Sequence, residues 1–336
     1  MTETGRPPLD TAVLHAAVVR PGGLWRAVEV VAATGSTNAD LLARAADGEP
    51  EGLVLAAEQQ SAGRGRLGRT WLAPPRAALT FSVLLRPAAV PRARLGWLSL
   101  LAGVAVASAV RAVAGLDAQL KWPNDVLIGP GNALAGGSGP AAAGGQVGTV
   151  VPPRKLGGIL AEASGEAVVV GIGVNVSTGP GELPPPGPGA LAATSLHLEG
   201  AASLDRTALL AEILAGLERR YQAWCRVFGD TERSRLRAEY TDLCATIGRR
   251  VRVELPGGRL LDGLAAGVDA DGRLLVSVPP DPDLPVAAGD IVHLRRVVAG
   301  ACERLVRVRC GEDHHPNLNS TNSHKALCGV WPVSLR

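Results

Sequence analysis

The stretch GRGRLGRTW, residues 63–71, decides the fold class because two nucleotide-binding templates match it and at most one can be correct. Gly63, Gly65 and Gly68 have the G-x-G-x-x-G spacing of dinucleotide-binding folds, and the stretch also matches a P-loop if an arginine replaces the lysine. Both templates need a helix directly after the third glycine, because the amino terminus of that helix binds phosphate. A Pro-Pro pair at 74–75 disfavours such a helix. The sequence therefore predicts neither a Rossmann fold nor a P-loop fold.

Three arginines give this stretch a different chemistry. Arg64, Arg66 and Arg69 lie within six positions, and like charges at this spacing repel one another. We therefore expect a loop that becomes ordered when an anion, most naturally a phosphate, neutralises it. A solvated basic loop without a ligand is the alternative that the stretch alone leaves open.

Composition and charge argue against nucleic-acid-binding, secreted and membrane-spanning proteins. The 336 residues predict about two domains, and a net charge of +3 is too small to indicate a nucleic-acid partner. The five cysteines have no regular spacing and the amino-terminal segment is polar, which favours a reduced, cytoplasmic protein. The apolar run at 95–115 is rich in alanine and interrupted by polar residues, so it predicts a buried helix rather than a membrane span.

Hydrophobic periodicity predicts the order of helices and strands along the first 247 residues. Helices are predicted at 10–20, from 39 onward with Asn38 or Thr37 as the cap, and at 95–114, 205–226 and 231–247. Strands are predicted at 25–33, 53–58, 79–85, 118–121, 155–162 and 167–176.

Three other segments follow different patterns. After Gly248 the period changes to two, with turns between short apolar runs, which predicts a small barrel of about fifty residues. Residues 129–153 are rich in Gly, Ala and Pro and predict a flexible surface insertion. Residues 298–336 lack a sustained period and predict a poorly ordered tail. The spacing of the Cys and His residues in this tail matches no standard zinc site.

Five motifs occur together in one order along the chain. They are STNADL at 36–41, EQQSAGRGRLGRTW at 58–71, KWPND at 121–125, RKLGGILAE at 154–162 and GIGVNV at 171–176. This set resembles the biotin protein ligases from about residue 30 to 296. Each motif alone is weak, but the combination is highly specific.

The resemblance implies an α/β (α+β) fold with two domains. A mixed-sheet catalytic domain of the biotin/lipoate ligase type is expected at 1–246, and a small SH3-like β-barrel at 247–297. Family members that also repress transcription carry a helix-turn-helix domain ahead of the catalytic one, and the 35 residues before Ser36 leave no room for it. We therefore expect a monofunctional enzyme that binds neither DNA nor membranes and that is a monomer or a weak homodimer.

The implied reaction uses biotin, ATP and Mg²⁺. Biotin is activated as biotinyl-5′-AMP, and the biotinyl group then passes to a lysine of the biotin carboxyl carrier protein domain of an acyl-CoA or pyruvate carboxylase. Because two anions must be brought together in the first step, cations around the phosphorus are the main catalytic resource. No protein side chains are expected to be metal ligands, since Mg²⁺ accompanies ATP.

By the same resemblance, the site residues fall into three groups. The expected catalytic residues are Lys155, Arg66, Arg69, Lys121 and Asp125. The expected biotin contacts are Ser36, Thr37, Asn38, Gln60, Arg64, Gly65, Arg66, Lys155 and Gly157. The expected ATP and adenylate contacts are Arg64, Arg66, Arg69, Trp71, Lys121 and Asn175.

The nucleotide assignments each have a structural alternative. Lys155 would bridge the biotin carboxylate and the α-phosphate, while Gly157 and Gly158 would let the ligand approach the strand closely; the alternative is a lysine in solvent at a strand edge. The amide of Asn175 suits the adenine edge, because it offers a donor and an acceptor together. Trp71 would cover the adenine, or pack as core.

The remaining assignments also have alternatives. Ser36, Thr37 and Asn38 would pair the ureido group of biotin, or cap a helix. Asp125 would orient the acceptor ammonium while Lys121 offers charge to the phosphate, or the two would form a salt bridge that shapes the turn.

Two other functions are alternatives to the ligase. A lipoate or octanoate ligase of the same fold would need a pocket for a flexible acyl chain, and the intact arginine-rich motif argues against it. A noncatalytic protein that binds a partner through its carboxy-terminal barrel would have no use for the retained lysines and arginines.

Overall fold

A computed structural model describes residues 5–133, 152–186, 190–255, 259–280, 282–287 and 290–293. The predicted tail at 298–336, with its cysteines and histidines, lies outside these residues. The described residues belong to one compact unit, so the predicted boundary between residues 246 and 247 stays a prediction.

Seven strands form a mixed sheet. They are β1 (Ala27–Val31), β2 (Leu53–Ala57), β3 (Ala78–Leu85), β4 (Leu116–Lys121), β5 (Asp125–Ala133), β6 (Arg154–Ser164) and β7 (Ala167–Asn175). Their order is β1-β2-β3-β7-β6-β5-β4. The pair β1 and β2 is parallel and every other neighbouring pair is antiparallel, which confirms the mixed sheet.

Among the described residues, five α-helices accompany the sheet. They are α1 (Thr11–Val18), α2 (Thr37–Ala46), α3 (Trp97–Ala109), α4 (Arg206–Arg226) and α5 (Leu236–Leu243). The helix predicted at 231–247 is shorter than expected, because Asp230 Oδ1 accepts from the amides of Glu232 and Arg233 in a preceding turn and Arg235 has a left-handed φ of 63°. The predicted cap of α2 is also corrected: Ser36 is the N-cap, and Thr37 and Asn38 lie inside the helix.

Both faces of the sheet are covered because its central strands alternate their side chains between two cores. On one face, α2 packs against β2, β3 and β7, with Leu41 and Ala45 buried against Leu53 and Val169. On the other face, α3 packs against β4, β6, α4 and α5. The segment Arg92–Ala114, which contains α3, is long and apolar enough to cross a membrane, but most of it is buried, as expected for a core helix.

A second sheet forms the carboxy-terminal part of the described chain. Its strands are β8 (Arg250–Glu254), β9 (Leu260–Val268), β10 (Leu274–Ser277), β11 (Leu284–Val286) and β12 (Asp290–His293), in the order β11-β10-β9-β8-β12. All pairs are antiparallel, and alternate residues such as Val251 and Val253 are buried. The predicted small β-domain is therefore present, while closure into a barrel stays a prediction.

The predicted insertion at 129–153 begins later than expected. Residues 129–133 belong to β5, whose strand pairing with β4 continues to Ala133 opposite Leu116. On the other side of β5, Leu127 pairs with Lys155 and Ile128 with Arg154, so the two motifs on either side of the insertion are adjacent in the sheet. Residues 134–151 lie outside the described residues.

The turn between β9 and β10 joins the second sheet to the first. The indole of Trp97 donates to Asp269 O at 3.1 Å, and that of Trp122 donates to Gly272 O at 3.0 Å. A side chain on Gly96 would place its Cβ 2.7 Å from the backbone oxygen of Asp271. The chain approaches so closely here that only glycine fits at position 96.

The substitution Gly96→Ala tests this contact. Since the obstructing atom belongs to the backbone, we expect the added methyl group to lower the free energy of unfolding by about 1–3 kcal/mol, measured by urea denaturation. Gly267→Ala in β9 is the matched control, because a Cβ there meets nothing within 4 Å. Equal stability of the two variants would contradict the close contact.

Candidate active site

A cavity of about 240 Å³ opens on the α2 side of the large sheet. Its lining comes from the start of α2, the arginine-rich loop, β3, the β5 and β6 hairpin, β7, and the segments 184–186 and 190–193. The described lining includes Ser36, Thr37, Asn38, Gln60, Arg64, Gly65, Arg66, Arg69, Trp71, Asp125, Lys155 and Asn175. The structure thus brings twelve of the fourteen predicted site residues to one cavity.

Two glycines of β7 make room for this site. Val169, two residues before them on the same face, is buried against α2. Further along, a Cβ on Gly171 would lie 2.1 Å from Asn38 Oδ1, and one on Gly173 would lie 2.6 Å from the ring of Trp71. The sequence GIGVN therefore removes the side chains from one face of the strand, so that a helix residue and a loop residue reach the sheet.

Asn38 uses its amide to fix the start of α2. Its Nδ2 donates to Leu160 O at 3.1 Å and to Glu162 Oε2 at 2.7 Å, and its Oδ1 accepts from Ser82 at 2.6 Å. Because these groups are buried or partly buried, the bonds position the helix. The predicted contact of Asn38 with biotin stays a prediction.

The neighbouring polar residues also bind one another. Gln60 Oε1 accepts from the amide of Thr37 at 2.8 Å and from its hydroxyl at 3.1 Å. The Thr37 hydroxyl lies 2.7 Å from Ser82 Oγ, and the Ser36 hydroxyl accepts from Ala39 N at 3.5 Å. Helix capping and exposure to the cavity therefore coexist at Ser36.

The arginine-rich stretch forms a compact loop instead of opening a helix. Gly65 N donates to Arg69 O at 2.6 Å and Trp71 N donates to Gly63 O at 2.8 Å, with one tight turn at Arg66–Gly68. Residues 69–96, all of which the structure describes, contain no α-helix, so the rejection of both nucleotide-binding templates is confirmed. The arginines at 64, 66 and 69 all line the cavity.

Asp125 forms ion pairs with two lysines. Its Oδ1 lies 2.6 Å from Lys155 Nζ and its Oδ2 lies 3.9 Å from Lys121 Nζ. The sheet register explains this cluster, because Asp125 pairs with Lys121 on one side and with Gly158 on the other. Lys155 extends over Gly158, whose Cβ position is 3.7 Å from the ammonium. Lys121 is not among the described residues that line the cavity. Its ammonium group is connected to the site through the ion pair with Asp125.

The two glycines of RKLGG have different surroundings. Gly158 lines the cavity beside Lys155. Gly157 is not among the described lining residues: its Cβ would lie 2.5 Å from Gly173 O, so its close approach is to the neighbouring strand. The predicted contact between Gly157 and biotin stays a prediction.

Asn175 and Trp71 lie in the same cavity. Asn175 Nδ2 donates to Thr194 O at 2.9 Å. The indole nitrogen of Trp71 is buried, and among the described residues it has no hydrogen-bond partner. Because a buried donor without a partner costs free energy, we expect the indole nitrogen either to donate to an acceptor atom of a ligand or to move to a new partner when a ligand binds.

Several contributors were missed from the sequence. Glu162 binds Asn38 and lies 3.7 Å from Arg64 Nη2. Asn124 lines the cavity and donates to Ile159 O at 3.0 Å. Pro184–Pro186 form a wall. The two-residue spacing of glycines in GIGVN was the available signal for the cavity itself, whereas the pairing of Glu162 requires knowledge of the fold.

No metal cluster occurs in the part of the chain that the structure describes. There, no group of three or more His, Cys, Asp or Glu side chains could hold an ion. The cation-rich cavity with its single lining aspartate suits an anionic ligand instead.

Comparison with family models matches two parts of the chain. Residues 31–178 match the Biotin/lipoate A/B protein ligase family, and residues 246–294 match the Biotin protein ligase C terminal domain. All five motifs lie in the first match, and the second sheet lies in the second.

Two relatives and one solved structure agree with these models. A biotin–[acetyl-CoA-carboxylase] ligase of Mycobacterium tuberculosis is 44% identical over 86% of this chain and 97% of its own. A bifunctional ligase/repressor BirA of Bacillus spizizenii is 31% identical over 74% of this chain and 67% of its own. The structure of the Aquifex aeolicus biotin protein ligase in complex with biotin and ATP has a TM-score of 0.62 at 24% identity, covering 81% of this chain and all of that chain, which shows the shared fold.

Proposed function

The chain belongs to the biotin protein ligase family, and on this premise we propose that its cavity activates biotin with ATP and delivers it to a carrier protein. The protein is a biotin–[biotin carboxyl-carrier protein] ligase: it forms biotinyl-5′-AMP and transfers the biotinyl group to a lysine of the carboxylase carrier domain. The observation that carries the site assignment is the single cavity lined by three arginines, Lys155 and one aspartate, with Lys155 Nζ 2.6 Å from Asp125 Oδ1.

In the first step, a biotin carboxylate oxygen attacks the α-phosphorus of ATP. The new carboxyl–phosphorus bond forms as the bond to pyrophosphate breaks, and negative charge accumulates on the phosphoryl oxygens. Arg64 and Arg66 lie over the acyl phosphate in this proposal, and Arg69 contacts the phosphates. Lys155 leaves Asp125 and bridges the biotin carboxylate and the α-phosphate, because these two reacting anions together carry more negative charge than the single carboxylate of Asp125.

In the second step, the acceptor lysine attacks the acyl carbon and AMP leaves. The lysine must lose a proton first. Once Lys155 has turned to the phosphate, Asp125 is placed to hold and orient the incoming ammonium, while Lys121 supplies positive charge behind it. The Asp125 carboxylate therefore has two roles: it pairs with Lys155 before biotin is activated and orients the acceptor lysine afterwards.

The substrates divide between the two ends of the cavity. The ureido group of biotin would lie near Ser36, Thr37 and Gln60, whose hydroxyl and amide groups can pair it. The adenine would lie near Asn175 and Trp71. Mg²⁺ would accompany ATP and supply further positive charge to its phosphates.

The acceptor protein, the cellular location and the oligomeric state are also part of this proposal. The Mycobacterium tuberculosis relative is named for acetyl-CoA carboxylase, and we propose a carrier domain of an acyl-CoA or pyruvate carboxylase as the acceptor. We propose a cytoplasmic protein that is a monomer or weak homodimer and does not bind DNA. Within residues 5–35, α1 and β1 pack against α4 and β2 and so belong to the same fold as the cavity.

The choice of acid separates this function from the alternatives. With ATP and Mg²⁺, we expect biotin to drive pyrophosphate release above the rate without acid, because the polar residues at the start of α2 can pair the ureido group. Lipoate and octanoate, which lack a ureido group, should leave the rate unchanged. Release driven by lipoate or octanoate instead would contradict the proposal, and release with none of the three would indicate a noncatalytic protein.

Lys155→Met tests the proposed role of the ammonium. Removing a positive charge from the phosphorus centre should lower biotin-dependent pyrophosphate release at least about 100-fold. Arg44→Met is the control, since Arg44 pairs with Glu29 at 2.8 Å on the surface and does not line the cavity. Unchanged release by a folded Lys155→Met protein would show that Lys155 does not act on the phosphate.

A further inference from the structure

The segment that precedes α1 is fixed to the core by buried charges. Arg206, at the start of α4, lies 2.7 Å from Glu58 and donates to Pro7 O at 2.7 Å. The other oxygen of Glu58 accepts from Leu9 N at 2.6 Å. Residues 6–9 are therefore held beside β2 and α4, and Leu9 is buried in the core.

This anchored segment places Arg6 beneath the loop that follows β7. The Arg6 side chain is only 4% exposed, and its Nη2 lies 2.6 Å from Glu182 Oε2 and 3.2 Å from Ser177 O. The same Glu182 oxygen accepts from Gly179 N at 2.7 Å. The hydrogen bonds from Arg6, and then from Gly179, hold the pKa of Glu182 below its ordinary value. Arg6 thus ties together both ends of the turn at 177–182.

Beyond this turn the chain forms a wall of the cavity. Pro184–Pro186 line it directly. At the far end of the loop, Lys155 N donates to Ala192 O and Thr194 N donates to Lys155 O, both at 2.8 Å, while Asn175 donates to Thr194 O. One end of the wall is therefore hydrogen-bonded to the two residues proposed for phosphate and adenine, and the other end is held by Arg6.

We propose that Arg6 is a positioning residue for ATP: through Glu182 it holds the loop at 177–186 so that Pro184–Pro186 close the nucleotide end of the cavity. This role rests on the proposed function. It is performed without contact between Arg6 and the substrates, since Arg6 is not among the described lining residues.

The pair has the properties that such a role requires. Arg6 is buried with one carboxylate partner, so removing that carboxylate leaves a buried charge poorly compensated. Glu182 has a partly exposed side chain, and without Arg6 it is no longer connected to the core, so its bond to the Gly179 amide opens more often. Losing either partner should therefore loosen the same wall.

The test compares Arg6→Gln, Glu182→Gln and the double variant. We expect each single variant to raise the KM for ATP about five- to tenfold while kcat stays within about twofold, because the cations at the phosphorus are untouched. The double variant should resemble the single ones, since both remove one interaction. Hydrogen exchange of the Gly179 amide in the ligand-free protein should accelerate in all three.

Arg220→Gln is the matched control. Arg220 is also mostly buried, lies 2.7 Å from Glu239 and donates to a backbone oxygen, Gly216 O, but it does not line the cavity. It should leave the KM for ATP and the Gly179 exchange rate unchanged. If Arg6→Gln fails to fold, Glu182→Gln gives the same test from the loop side.

The outcomes distinguish this role from the proposed function. Wild-type KM for ATP and wild-type Gly179 exchange in the Arg6 and Glu182 variants would overturn the role of Arg6 while leaving the ligase activity in place. The role of Arg6 would also be overturned if the Arg6 and Glu182 variants raised the KM for ATP and the KM for biotin equally and Arg220→Gln raised both by the same amount. If the wild type releases no pyrophosphate with any acid, the proposed function fails. In that case the hydrogen-exchange measurement still tests the structural part of the proposal: Gly179 exchange as slow in the variants as in the wild type would show that Arg6 does not anchor the loop at 177–186.

Discussion

Charge neutralisation in a confined space is the constraint on which this structure depends. In the proposed reaction a carboxylate must meet a phosphate, and three separate parts of the chain place cations at or next to the cavity: the arginine-rich loop, the β4 and β5 hairpin, and β6. Held together without an anion, these cations would repel one another. Asp125 between two lysines, and Glu162 near Arg64, reduce this repulsion within the protein itself.

The sheet supplies the space for those charges. On one face of β7, bulky side chains continue the core; on the other, Gly171 and Gly173 admit Asn38 and Trp71. The two glycines thereby connect the fold to the site, because they let the start of α2 and the end of the arginine-rich loop lie directly on the strand. A larger residue at either position would displace a residue of the cavity lining.

The sequence predicted the fold and most of the residues that line one cavity, but it did not predict the pairings among them. Strand and helix patterns are local, and so are the prolines that exclude a helix after the arginines. The bond between Lys155 and Asp125 depends on the register of two strands, and the bonds of Asn38 depend on strands that come more than forty and one hundred twenty residues later. Arg6 gave no signal at all, since its partner lies 176 positions away.

The central claim is that Lys155 exchanges Asp125 for the phosphate of the activated acid. A crystal structure with a nonhydrolysable analogue of biotinyl-5′-adenylate tests it most directly. We predict that Lys155 Nζ will lie about 3 Å from an oxygen of the acyl phosphate group, with Arg64 and Arg66 beside it and Asp125 left facing the acceptor side. If Lys155 stays on Asp125 while the guanidinium groups point into solvent, the account is contradicted.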